Sequence, residues 1–233
     1  MAEPGLLLIR GLGHSGSTIL DLALGAHPQL IGLGEAVRVL ERPRLGEEHK
    51  GPQQLRGDLR FERRCTCGEL AGDCPVWGPL LAWLPAHDDR PLAEKLNRLI
   101  EPMTATSPRW LVESFQADEQ LLEAQALGRP VRVIQLTRDV RSWVHSESRR
   151  GVERHGRGGT VGWRSMLRWW RVNRRWEQRL NRSGCAVFRL GYEELALAPE
   201  QALRQLCAWL EVGFDPAMLQ PGLNSSSHIV SGN

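Results

Sequence analysis

The feature that most constrains the chain is its start, "LLLIRGLGHSGSTILDLALGAHP" from Leu6 to Pro28, where an apolar run meets a glycine-rich loop and then a helical stripe. Leu6–Arg10 is short, apolar and closed by glycine, the pattern of a buried strand, and Ser17–Gly25 follows with helical periodicity. A strand that turns through glycines into a helix aims backbone N–H groups at the space before the helix, where the dipole favours negative charge. Such a unit belongs to folds that alternate strand and helix.

Two phosphate-binding spacings fit the loop in part. Gly11, Gly13 and Gly16 have the G-x-G-x-x-G spacing, and Glu35 stands near the place of that pattern's acid, but "HPQLIGLGE" is a poor strand. Gly11 and Gly16 also have the Walker A spacing, with Ser17 in place of the lysine that reaches the β- and γ-phosphates. An ordinary ATPase or GTPase is therefore disfavoured. What survives is an anion cradle of backbone N–H groups with the hydroxyls of Ser15, Ser17 and Thr18.

Three more segments read as buried strands: Trp110–Glu113, Val131–Thr137 and Ala186–Leu190. Their near-continuous apolar character predicts a sheet covered on both faces, hence a parallel one. Helical patterns occupy Glu119–Leu127, Val140–Glu147, Val161–Leu180 and Pro199–Leu210. The expected fold is α/β, a doubly wound parallel sheet, in one domain over residues 1–233. Between Arg42 and Pro108 the pattern weakens, with one fair helix at Leu92–Ile100, which reads as an irregular insertion over the mouth of the sheet.

No apolar run approaches the roughly 20 residues that cross a bilayer. The N-terminus lacks a basic n-region, and five cysteines are an odd number in a chain of 233 residues. A soluble, cytoplasmic protein in a reducing compartment is expected. The net charge is only +3, but lysine occurs just at positions 50 and 95, so 30 − 2 = 28 of the basic residues are arginines. Arginine's fork suits bidentate contact with an anion, although a solvated helix face accounts for many of them equally well.

"GLGHSGSTIL" resembles the 5′-phosphosulfate loop of the sulfotransferase superfamily, whose donor is 3′-phosphoadenosine 5′-phosphosulfate (PAPS). Three further segments are similar to that family in the same order. "LTRDVRSWVHS" places Arg138 and Ser146 eight residues apart, as in the 3′-phosphate motif; "YEEL" from Tyr192 resembles the segment after the fourth strand; "GLGE", ending at Glu35, looks like the stretch that carries the catalytic glutamate in the protein-tyrosine branch. The fit is to bacterial members.

The resemblance implies a PAPS-dependent sulfotransferase with a P-loop-like fold. Gly13, His14, Ser15, Gly16, Ser17 and Thr18 would hold the 5′-phosphosulfate, Arg138 and Ser146 the 3′-phosphate, with Tyr192 in the donor site and Glu35 as base. His14 stands where many relatives have lysine or arginine and would donate to the bridge oxygen, with Arg10 as the alternative fixed cation. Glu113-Ser114-Phe115-Gln116 replaces an Asp-Ser-Ser-Lys segment, leaving Ser114 a hydrogen-bonding role at the sulfuryl group without the lysine charge.

Other readings stay open: a P-loop nucleotide-binding or kinase-like protein using ATP and Mg²⁺, or a catalytically weak relative that binds the donor or its bisphosphate product. The acceptor, whether small molecule, glycan, lipid or peptide, carries no legible motif, and neither does the oligomeric state. Cys65, Cys67 and Cys74 of "CTCGELAGDCPVW" are close enough for one metal, but no fourth ligand is evident and no metal is expected. "RSMLRWWRVNRRWEQRL" interleaves arginine and tryptophan as nucleic-acid binders do, yet core packing of the tryptophans is the better reading and no nucleic acid is expected. "SSSHIVSGN" resembles a segment that continues further in bacterial relatives, so the chain reads as truncated at Asn233, with Ser225 to His228 as candidates for closing over the nucleotide.

Overall fold

The computed structural model describes residues 4–41, 63–106, 108–116, 128–155, 162–221 and 227–231. Its strands are β1 (Gly5–Gly11), β2 (Leu30–Gly32), β3 (Trp110–Glu113), β4 (Val131–Thr137) and β5 (Ala186–Gly191), in the spatial order β2-β3-β1-β4-β5. Every neighbouring pair is parallel, with Leu8 of β1 opposite both Glu113 of β3 and Val133 of β4. The doubly wound α/β sheet expected from the apolar strands is thus present.

The strands read as unbroken apolar runs because each face is covered. Leu6, Leu8, Leu111 and Val133 pack into one cluster with residues of α2 (Val37–Leu40), α3 (Trp77–Trp83), α4 (Leu92–Ile100) and α6 (Trp163–Ser183). Leu7, Ile9, Val112 and Ile134 pack on the other face against α1 (Ser17–Gly25), α7 (Tyr192–Leu197) and α8 (Pro199–Leu210). Successive side chains of a strand point to opposite faces, so alternate leucines of "LLLI" feed different cores.

Three features differ from the sequence reading. A fifth strand, β2, exists where "HPQLIGLGE" looked unsuitable; three residues are too few to show a pattern, and pairing with β3 decides the matter. Helix α5 (Val140–His155) runs on well past Glu147. The described part of the insertion is not irregular throughout, since Trp77, Leu80, Leu81, Leu96 and Leu99 are fully buried and close one face of the sheet. The helix expected at Glu119–Leu127 lies outside the described residues.

The topology positions a site. From β1 the chain turns toward β2 on one side, and from β4 it turns toward β5 on the other. The loops after β1 and β4 therefore part at their carboxyl ends, which opens the crevice where ligands of such sheets bind.

Candidate functional site

The loop between β1 and α1 forms one wall of that crevice. His14 and Gly16 have left-handed backbones, with φ of 69° and 95°. At Gly16 the requirement is twofold: a Cβ would strain the backbone and would stand 2.3 Å from Tyr192 Cδ2. Glycine here is what lets the Tyr192 ring lie against the loop.

Arg138, just past β4, ties the opposite wall to the loop. Its guanidinium lies over the Tyr192 ring, 4.7 Å from the centroid, and donates from Nη1 to the His14 carbonyl at 3.2 Å and from Nε to Ser142 Oγ at 2.7 Å. Trp143 donates its indole N–H to the Gly13 carbonyl at 2.9 Å, and Trp169 donates to the Arg138 carbonyl at 2.8 Å. Ser146, half-buried, is one helical turn beyond Ser142 and so shares its face of α5. Tyr192 opens α7.

Two loop carbonyls are thus occupied by neighbouring side chains, while no side chain among the described residues caps the N-terminus of α1. Ser15 is 1% exposed and its hydroxyl has no hydrogen-bond partner among the described residues. A buried hydroxyl without a partner costs about 1–3 kcal/mol. Beside free helix N–H groups, with Ser17 buried and Thr18 half-buried in the first turn, it is the donor set an oxyanion group completes.

Across the mouth lies a cluster of acids. Glu35, 8% exposed, pairs with Arg38 Nη1 at 2.6 Å, and its backbone N–H donates to the Ser231 carbonyl at 2.8 Å. Burial pushes the Glu35 carboxyl above its usual value while Arg38 pulls it back. Gly34 before it has φ of 64°, and a Cβ there would meet the Ser231 carbonyl at 2.3 Å. The Glu35 corner is therefore built against residues 227–231.

Asp21, one turn beyond Ser17 in α1 and fully buried, accepts the Ser114 hydroxyl at 2.6 Å. Burial drives its carboxyl up to about 7, against the lowering effect of Ser114, and the nearby Glu113 and Glu35 add to the rise. Sequence reasoning missed Asp21, although an acid one turn after a loop serine on the apolar face of a helix was the available signal. Glu113 forms a fully buried pair with Arg10 Nη2 at 2.8 Å and accepts the Phe115 N–H at 3.0 Å.

These contacts bear on three expectations. Arg10, the alternative cation, is fully buried and pairs with Glu113 inside the protein. Ser114, expected at the sulfuryl group, donates its hydroxyl to Asp21. His228 turns Nδ1 toward Cys74 Sγ, at 3.3 Å, and so faces the cysteine loop. Ser225 and Asn233 lie outside the described residues. The tryptophans of α6 divide as their spacing implied: Trp176 is core, Trp169 braces Arg138, and Trp163 and Trp170 are exposed. No helix among the described residues is long and apolar enough to cross a membrane.

The sequence matches the model of a sulfotransferase family over residues 6–216. No curated protein matches it. Among solved structures it is similar to the sulfotransferase domain from the curacin biosynthetic pathway, with TM-score 0.56 and 21% identity over 95% of this chain and 78% of that one. The sulfotransferase domain of the Synechococcus PCC 7002 olefin synthase gives TM-score 0.55 and 20% identity with the same coverage of each chain. A Mycobacterium tuberculosis H37Rv sulfotransferase gives 0.53 and 17%, over 95% and 71%.

Proposed function

The chain belongs to the sulfotransferase family, and from that premise we propose that it moves a sulfuryl group from PAPS to an acceptor hydroxyl or amine. The observation that carries this reading is the buried Ser15 hydroxyl, without a partner among the described residues, beside the uncapped start of α1, in a loop that Arg138 ties to the opposite wall through the His14 carbonyl. Bound there, the donor supplies a sulfuryl group whose bond to the bridging oxygen breaks as the acceptor atom bonds to sulfur.

The chain's own groups divide the work. Backbone N–H groups from Gly13 to Thr18, with the Ser15, Ser17 and Thr18 hydroxyls, hold the 5′ anionic groups, and their fixed geometry lowers the barrier without reorganisation. Arg138 and Ser146 hold the 3′-phosphate, with Tyr192 as the flat surface that keeps Arg138 in place. His14 donates toward the leaving oxygen. Glu35 takes the acceptor's proton, its basicity set by burial on one side and Arg38 on the other. Asp21 and Ser114 fix the floor between base and loop.

Calorimetric titration with 3′-phosphoadenosine 5′-phosphate tests the reading, run beside 5′-AMP, ATP with Mg²⁺, and NAD. Micromolar binding of the bisphosphate is expected, at least about tenfold tighter than AMP, since a charge-assisted contact contributes about 1.5–3 kcal/mol. Arg138→Ala and, more mildly, Ser146→Ala should erase that preference. Tighter binding of ATP with Mg²⁺ than of the bisphosphate would favour the kinase-like alternative and overturn the proposal.

A further inference from the structure

The insertion and the end of the chain meet in a cluster that the sulfuryl-transfer site does not use. Residues 63–71 form a small hairpin: Arg64 bridges Leu70 in antiparallel fashion, the Ala71 N–H donates to the Arg63 carbonyl at 2.6 Å, and Gly68 at its tip has φ of 98°. The hairpin brings Cys65 and Cys67 toward Cys74, which sits in the turn before α3, where the Gly78 N–H caps its carbonyl at 2.7 Å. The fourth member arrives from 154 residues away, as His228 points Nδ1 at Cys74 Sγ from 3.3 Å and at Cys65 Sγ from 3.9 Å.

We propose that Cys65, Cys67, Cys74 and His228 bind one zinc ion in a closed tetrahedral site. The four ligand atoms all lie within 4.8 Å of one another. With zinc–sulfur bonds of about 2.3 Å and zinc–nitrogen bonds of about 2.0–2.1 Å, a tetrahedron has sulfur–sulfur edges of about 3.8 Å and sulfur–nitrogen edges of about 3.5 Å. Cys74 Sγ lies 3.6 Å from Cys65 Sγ and 3.8 Å from Cys67 Sγ, and the distances from His228 Nδ1 to Cys74 and Cys65, 3.3 Å and 3.9 Å, bracket the second value. A disulfide needs about 2.05 Å, and these cysteines are free thiols.

The donor chemistry selects the metal class. Three thiolates and one imidazole suit zinc, whereas magnesium or calcium would ask for oxygen ligands. Four protein ligands leave no position for water or substrate, so the ion is structural. Cys65 and Cys74 are buried, while Cys67 is exposed and gives the ion a way in.

Hydrogen bonds around the cluster hold His228 ready. Thr66 Oγ1 donates to the Ser227 carbonyl at 2.6 Å, the Thr66 N–H to the Ile229 carbonyl at 3.1 Å, and Trp77 Nε1 to the His228 carbonyl at 2.6 Å. Residues 227–231 also reach the sheet, where the His228 N–H donates to the Gly32 carbonyl, and the loop beyond it, where the Ser231 carbonyl accepts from the Glu35 N–H. The ion therefore locks residues 227–231 between the hairpin and the strand end that carries Glu35.

The test is elemental analysis of the full chain purified without chelator, with cobalt(II) reconstitution as the second measurement. About one zinc per chain is expected, and cobalt should give tetrahedral visible bands with strong thiolate charge-transfer absorption. Cys74→Ser should lose both; His228→Cys should keep the metal and raise the charge-transfer intensity by about a third, four thiolates replacing three. His228→Cys keeps the proposal testable should Cys74→Ser fail to fold. Less than about 0.1 zinc per chain, or iron in its place, or a cobalt spectrum unchanged by His228→Cys, would overturn the assignment.

Discussion

Asp21→Asn is the perturbation that reads the acid cluster most directly. The carboxyl is fully buried and its pKa rises from 3.8 to about 7 on folding. At about 1.4 kcal/mol per unit, that is a penalty of about 4 kcal/mol on the folded state once both states have ionised. Between pH 4 and 7 the folded protein keeps a proton that the unfolded chain has lost, so stability falls as pH rises through this window and levels off above it. About 2.5 kcal/mol of the loss falls between pH 5 and pH 8. The amide of the variant cannot ionise and escapes it. Asp139 and Glu211, held low by arginines, are present in both proteins and drop out of the comparison. Glu35 and Glu113, which act on Asp21, and their partners Arg38 and Arg10 are present in both proteins, so the difference between variant and wild type reads the change at position 21. Urea unfolding at half-unit pH steps should show the two midpoints separating by about 1 M from pH 5 to pH 8. Parallel profiles would mean that Asp21 is ionised in the folded protein throughout, and the burial argument would fail.

Further variants probe the loop and the proposed base. Gly16→Ala should cost about 2–5 kcal/mol, from about 1–2 for a left-handed alanine and about 1–3 for the collision with Tyr192, whereas Gly13→Ala, with nothing within 4 Å of its Cβ, should change urea stability by no more than about 0.5 kcal/mol. Equal costs would refute the packing of Tyr192 on the loop. Glu35→Gln should lower turnover by about 10²–10⁴ while bisphosphate affinity stays within about twofold, measured by steady-state kinetics beside calorimetry. Unchanged turnover removes Glu35 from the chemistry.

The parts of the fold that the sequence displayed are those whose signal is local. Helix α1 and helix α8 begin and end where their apolar stripes and the proline at position 199 placed them, and β3 and β4 match their apolar runs. Strand β2 escaped notice because Leu30–Gly32 has no period to read and owes its existence to β3. The same distinction governs the site. Glycine spacing marked the loop, but the fate of Arg10 depends on Glu113, 103 residues later, brought alongside by the β1–β3 register. Ser114 looked free for the reaction since its partner, Asp21, lies 93 residues earlier on a helix read only for its apolar face. Cys65, Cys67 and Cys74 looked incomplete for the same reason: His228 is distant in sequence, and only the hydrogen bonds of Thr66 and Trp77 bring it back.

The anchoring of Glu35 to Ser231 sets an order on how the protein comes into being. The described strands and α8 all precede residue 227 along the chain, so during synthesis the sheet can pair and the anion loop can form before the segment that backs Glu35 has left the ribosome. The carboxylate's surroundings are finished only after those elements, by residues that bond at once to β2, to the hairpin and to Trp77. A nascent chain, or one cut before residue 227, would then already hold the loop after β1 while lacking the residues that back Glu35, so this carboxylate's surroundings depend on a segment that the sheet does not need in order to pair.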